Sequence, residues 1–339
     1  MRNAIWNRIK RSVPHLCAGV ALLIFGSVLS AGASAAELLF YSSVPRNLSE
    51  SLVRAFEAEN PNVTVKIFQT GTETVLEKVE LEIKGKGRPE ADVLWIQEKA
   101  AMERLANRGL LAQYLPVGHE AIDEQYKDAG GRWIATFVTH VILMYNARVF
   151  KDQKPPSSWG ELADPRFRNK LTFANPRVSG TGSAVVSALV QNLGWSYVEK
   201  LAANKPQIAN GHPAMVSTVA IGERTVGPMQ DVSVFEAMAK KQPVGFVFPS
   251  EGAVAVPAFA AIAAHTEKME EAKKFIDFFA SKDAAELLRS QGMYHTRKDA
   301  RPPQGWPDIA SIKIMKFDWA KHNAEKESIK DRFADLVER

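Results

Sequence analysis

The sequence predicts an α/β fold in two domains, with a parallel sheet covered by helices on both faces. Two observations lead there. From Glu37 to Asn107 short apolar strands alternate with helical patterns, as βαβ units do. The chain has 339 residues, roughly twice the length of a typical domain.

Glu37 to Ser43 reads as a short buried strand ending in hydroxyls. Leu48, Leu52, Ala55 and Phe56 then recur at helical spacing, and Asn60-Pro61 stops the helix. Val63, Val65 and Ile67 alternate as a second strand that ends at Thr70-Gly71-Thr72. A helix carrying Val75, Val79, Leu81 and Ile83 follows, then a strand over Ala91–Ile96 and a helix over Met102–Asn107. Thr136 to Tyr145 is apolar and β-branched enough for a long strand. Leu171-Thr172-Phe173 is a short strand, and Ser179-Gly180-Thr181-Gly182-Ser183 opens a helix with Ala184, Val185, Ala188 and Leu189. Pro243–Phe248 and Ala253–Ala261 read as strands around a turn at Pro249-Ser250-Glu251-Gly252. Amphipathic helices are expected over 267–280, 283–290 and 326–337.

The formal charge of +5 suggests a polyanion partner until it is located. Arg2, Arg8, Lys10 and Arg11 precede Leu16–Leu29, an apolar stretch short for a membrane span, and Ala33-Ser34-Ala35 follows. This is the layout of a secretory signal peptide at 1–35, with the mature chain starting at Ala36 or Glu37. Without those four basic residues the body is close to neutral, so nucleic acid is not expected as a partner. The one cysteine, Cys17, lies in the signal, which leaves no thiol for a disulfide, a metal or a nucleophile.

Several short motifs then occur in a telling order: Tyr41-Ser42-Ser43, Asn60-Pro61, Thr70-Gly71-Thr72, Ala91-Asp92-Val93-Leu94-Trp95 and Leu143-Met144-Tyr145-Asn146. Pro156-Ser157-Ser158-Trp159, Asp164-Pro165, Asn175-Pro176, Ser179-Gly180-Thr181-Gly182 and Phe275-Ile276-Asp277-Phe278-Phe279 follow. In this the chain resembles the extracellular solute-binding proteins of ABC importers, most closely the branch of ferric-ion, phosphonate and sugar-phosphate binders. The resemblance covers residues 37 to about 296. It implies a type II-like two-lobed fold, two crossing strands as hinge, and a solute closed in the cleft between the lobes. The crossings fall near 136–145 and 253–262. Lobe 1 is expected at 36–138 plus 262–300, lobe 2 at 139–261, and a C-terminal helical segment at 301–339. The implied molecule is a periplasmic monomer that serves a membrane permease, with no catalytic residue and no cofactor.

Three hydroxyl-rich loops stand at the ends of strands: Ser42-Ser43, Thr70-Gly71-Thr72 and Ser179-Gly180-Thr181-Gly182-Ser183. Helix N-termini, glycines and neutral hydroxyls together suit a small anion. Each loop alone also suits plain helix capping or turning. Arg46 and Arg177 lie beside two of them. Ferric-binding relatives place two adjacent tyrosines after a Gly-Glu motif, which Gly222-Glu223 matches. No adjacent tyrosine pair occurs in this chain, and Gln230 and Asp231 occupy that place. With Glu251 they are the candidate partners for an ammonium group or sugar hydroxyls. The expectation is therefore a phosphate- or phosphonate-bearing solute. The alternatives are ferric ion held by other oxygen ligands, or a secreted enzyme or sensor ectodomain on the same scaffold. The histidines show no paired metal spacing, and no Gly-x-Ser-x-Gly elbow is present.

Overall fold

The computed structural model describes residues 36–338, so the signal peptide expected at 1–35 lies outside the described residues. Strand β1 (Ala36–Ser42) pairs in parallel with β2 (Val63–Gln69) and β3 (Val93–Ile96). Helices α1 (Arg46–Glu59), α2 (Thr72–Lys86) and α3 (Lys99–Asn107) link or follow them. In α1 the apolar face buries Leu48, Leu52 and Phe56, and the Asn60 amide caps the Phe56 carbonyl at 3.0 Å.

The long strand expected near 136–145 is β4 (Ile134–Asn146), and the segment near 253–262 is β9 (Val254–Ile262). They pair antiparallel from Ile134–Ala260 to Val141–Val254. Between them lie β5 (Thr172–Ala174), α4 (Gly180–Leu193), α5 (Trp195–Ala203), β6 (Gln207–Ala209) and α6 (His212–Ile221). Then come β7 (Val226–Gln230), α7 (Asp231–Ala239) and β8 (Val244–Val247). After β9 the chain forms α8 (Met269–Phe279), α9 (Lys282–Ser290), β10 (Tyr294–His295) and α10 (Trp319–Val337).

The parallel sheet expected from the alternation at 37–107 is β2-β1-β3, and antiparallel strands extend it. The eight-stranded sheet runs β10-β4-β9-β3-β1-β2, with β7 and β8 also paired to β4. Only β2, β1 and β3 are parallel; β9 runs against β3, and β4 runs against β7, β8, β9 and β10. The cause is connectivity: β4 carries the chain out and β9 carries it back, so the two oppose each other. Val141 pairs with both Val254 and Gln230, which puts β9 and β7 on opposite edges of β4.

Two apolar cores follow. One gathers Phe40, Trp95, Phe275 and Phe279 between the β1–β3 sheet and α8. Trp95 is fully buried there and donates to Thr136 Oγ1 on β4 at 2.8 Å. The other gathers Trp159, Phe167, Phe173, Val185 and Leu201, and α10 contributes Ile329 and Phe333 to it. The C-terminal helix, seven residues longer at its start than the periodicity suggests, thus packs on α4 and α5. Further bonds anchor it: His322 Nδ1 to Ser187 Oγ at 2.8 Å and Arg332 to Glu199 at 3.1 Å.

Gly252 joins this segment to the sheet. Its φ of 121° is closed to most side chains, and a Cβ there would lie 2.5 Å from the Met315 amide nitrogen. That amide donates to the Ala253 carbonyl at 2.9 Å, and the Gly252 carbonyl accepts from Trp159 Nε1 at 2.8 Å. Gly252→Ala is expected to cost about 2 kcal/mol or more, from left-handed strain and backbone collision. Urea unfolding checks this; an unchanged midpoint would show that 313–315 yields freely.

Candidate functional site

A cavity of about 430 Å³ opens where the loops after β1 and β3 meet the starts of α2, α4 and α6 and one face of α10. Of the predicted residues it brings together Ser43, Gly71, Thr72, Ser179, Gly180, Thr181 and Ser183.

The start of α4 presents free backbone donors to the cavity. Ser179 Oγ caps the helix by accepting from the Gly182 amide at 3.0 Å, and the Ser179 carbonyl accepts from the Ser183 amide at 2.9 Å. Among the described residues the amides of Gly180 and Thr181 have no acceptor. Ser183 Oγ is buried, lines the cavity and has no partner. Gly182 does not line this cavity. It lets α4 lie against β5, where a Cβ would sit 3.0 Å from the Ala174 carbonyl oxygen. At α2 the Gly71 carbonyl accepts from Val75, while the amides of Thr72, Glu73 and Thr74 have no acceptor among the described residues. Two helix N-termini, each with free donors and a partial positive charge, therefore border one cavity.

Other predicted residues serve the scaffold. Ser42 is fully buried and bonds Ser49 Oγ at 2.9 Å. Ser43 Oγ accepts from the Gln97 amide at 3.1 Å. Thr70 does not line the cavity; its amide donates to the Ser42 carbonyl at 3.2 Å. The three polar residues expected to face an ammonium or sugar also lie outside the cavity wall. Gln230 donates to Thr139 Oγ1 at 3.2 Å. Asp231, 1% exposed, accepts from the His140 amide at 3.0 Å and pairs with His140 Nδ1 at 2.8 Å. Glu251 accepts from the amides of Trp159 and Gly160 at 3.0 and 2.8 Å. Glu251 thus completes the turn at Trp159-Gly160, and Asp231 completes a strand amide and a buried histidine ring on β4. Arg46 pairs with Glu50 at 3.2 Å on the surface, whereas Arg177 lines the cavity and pairs with Asp331 at 3.1 Å.

Sequence reasoning missed the wall supplied by α10: Trp319, His322, Asn323, Lys326 and Lys330. Their spacing of three, four and seven residues places them on one helical stripe, which was the available signal. Both Asn323 amide atoms, Nδ2 and Oδ1, are buried without a partner. Lys326 Nζ reaches Glu73 Oε1 at 2.9 Å and so ties α10 to the first turn of α2. Burial pulls the Lys326 ammonium down, but the Glu73 bond and the charge of Glu98 outweigh it and hold it above the ordinary lysine value. Burial pushes His322 down to about 4, with Lys326 and Lys330 adding, and burial alone takes His212 there too. Both rings are therefore neutral at pH 7. Among the described residues no three His, Cys, Asp or Glu side chains converge as a metal-ion site.

The comparisons agree with this architecture. A periplasmic protein of Salmonella paratyphi A, named for binding 2-aminoethylphosphonate, is 27% identical over 233 residues, 66% of each chain. The fructose-6-phosphate-bound periplasmic binding protein AfuA of Actinobacillus pleuropneumoniae superimposes with a TM-score of 0.74 at 22% identity, covering 90% of this chain and 99% of that one. Iron-bound HitA of Pseudomonas aeruginosa gives 0.76 at 22% identity, over 88% and 99%. These matches show the fold of the two-lobed periplasmic binding proteins. Residues 89–323 match the bacterial extracellular solute-binding proteins, and the chain belongs to that family.

Proposed function

We propose that this chain is the periplasmic binding component of an ABC importer and captures a small solute bearing a phosphate or phosphonate group. The solute class is of the 2-aminoethylphosphonate or sugar-phosphate type. One observation carries the reading: acceptor-free amides at the starts of α2 and α4 border one cavity with the unpartnered Ser183 hydroxyl and the charged Lys326. Such donors, converging on one cavity beside a charged lysine, suit an anion. The relative named for 2-aminoethylphosphonate supports the same class.

On this reading the leader at 1–35 is removed, and the monomer works by capture and release. Residues 36–138 with 262–300 move as one lobe, and 139–261 as the other, about β4 and β9. The segment 301–339 moves with the second lobe, on which α10 packs. Binding is closure without covalent chemistry.

Titration calorimetry against inorganic phosphate, a sugar phosphate and 2-aminoethylphosphonate tests this, with solution scattering of each mixture. At least one is expected to bind saturably and to lower the radius of gyration. Binding of none, or a visible charge-transfer band on adding ferric ion alone, would overturn it. Lys326→Gln removes one charged donor, so about a tenfold to hundredfold loss of affinity is expected in the same titrations.

A further inference from the structure

The cavity wall also holds a carboxylate with no partner of its own. Glu98 follows β3, lines the cavity and is only 8% exposed. Among the described residues its side chain makes no hydrogen bond, and its one ion pair is a loose contact to Arg104 Nη1 at 3.8 Å. Arg104 lies outside the cavity wall, with its side chain 54% exposed. The other acid of the wall, Glu73, already has Lys326 at 2.9 Å. Burial pushes the Glu98 carboxyl above the ordinary glutamate value; Lys326, Arg104 and Lys330 pull it down and Glu73 pushes it up. Buried carboxylates are completed by a cation or by donors, and the open side of this one is the cavity.

We infer that Glu98 receives a protonated amine of the solute, so that the site selects zwitterions. Resting on the function proposed above, the anionic end lies at the starts of α2 and α4. The amine lies at Glu98. A cavity of about 430 Å³ accommodates both ends of a solute joined by a short carbon linker. Glu98 is thus a specificity-determining residue: it separates amine-bearing phosphonates from those without an amine and from sugar phosphates.

Two probes of nearly equal shape test it, 2-aminoethylphosphonate and ethylphosphonate, which lacks the amine. In the unaltered protein the amine is expected to raise affinity at least tenfold. In Glu98→Gln that ratio is expected to fall to about one, and in Glu98→Asp to an intermediate value. Equal affinities in the unaltered protein would overturn the inference while leaving anion capture intact. So would a Glu98→Gln protein that keeps the tenfold ratio. If only a sugar phosphate binds the unaltered protein, the inference fails and the proposed function stands; if neither probe, inorganic phosphate nor a sugar phosphate binds, the proposed function itself has failed. If Glu98→Gln does not fold, Glu98→Asp decides: a ratio equal to that of the unaltered protein would overturn the assignment to Glu98.

Discussion

Thr181→Asp is expected to weaken binding of every phosphate- or phosphonate-bearing solute by more than a hundredfold. Thr181 lies in the first turn of α4, where its amide has no acceptor and its side chain lines the cavity. Losing one hydrogen bond to a charged group costs about 1.5–3 kcal/mol, and Thr181→Val is expected to show that loss alone, about tenfold to a hundredfold. Aspartate adds a like charge at close range, worth a further few kcal/mol near a protein surface. The same substitution favours the helix, because an acid in the first turn complements the macrodipole. Unfolding temperature should therefore hold or rise while affinity collapses, which separates a site effect from a folding defect. Calorimetry with undiminished affinity would remove the anion from α4.

The second large effect is acid destabilisation well above the carboxylate range. His212, His295 and His322 are all pushed down by burial to about 4. His295 uses both ring nitrogens as a neutral ring: Nε2 is 2.9 Å from the Phe279 carbonyl and Nδ1 accepts from the Arg297 amide at 3.0 Å. The unfolded chain takes up protons on these rings near pH 6.5, and the native chain does not. Because the native value is the lower one, stability is intact above about pH 6.5 and is lost as the pH falls towards 4. At pH 5 each histidine accounts for about 2 kcal/mol, and the unfolding temperature is expected to drop on the order of 10 °C between pH 7 and pH 5. Scanning calorimetry at the two values measures it, and His295→Gln should flatten the slope. A transition that ignores pH over this interval would mean that these rings open to water in solution.

Much of the fold was legible because its periodicities are clean. The apolar faces of α1, α8 and α9 recur at three and four residues, and β4 is a largely apolar, β-branched run buried along nearly its whole length. The region from 195 to 240 was not. Helix α6 has no distinct apolar face, and β7 contains Gly227-Pro228, which locally signals a turn. That glycine is required for a tertiary reason: a Cβ there would lie 2.7 Å from the Thr172 carbonyl oxygen. The site divides in the same way. The loops at strand ends that line the cavity were legible, since chain direction and hydroxyls are local facts. Which acids face the cavity depends on backbone donors far away in sequence, and those donors claimed Asp231 and Glu251. The place where α10 docks is not encoded in its own periodicity, so Asn323 and Lys326 stayed hidden.

The docking of α10 also fixes when this protein becomes competent. A polypeptide is made and threaded amino end first, and all ten strands precede residue 296. The sheet can therefore assemble while one wall of the cavity has yet to emerge. Asn323, Lys326 and Lys330 follow every strand of the described residues, so on the proposed function the binding wall is completed only after the sheet. Removing α10 would spare every strand of the described residues, so on the proposed function solute binding is expected to be lost while the sheet persists. Solute binding would thus report a docked α10, which spectroscopy of the sheet in the same sample would overlook.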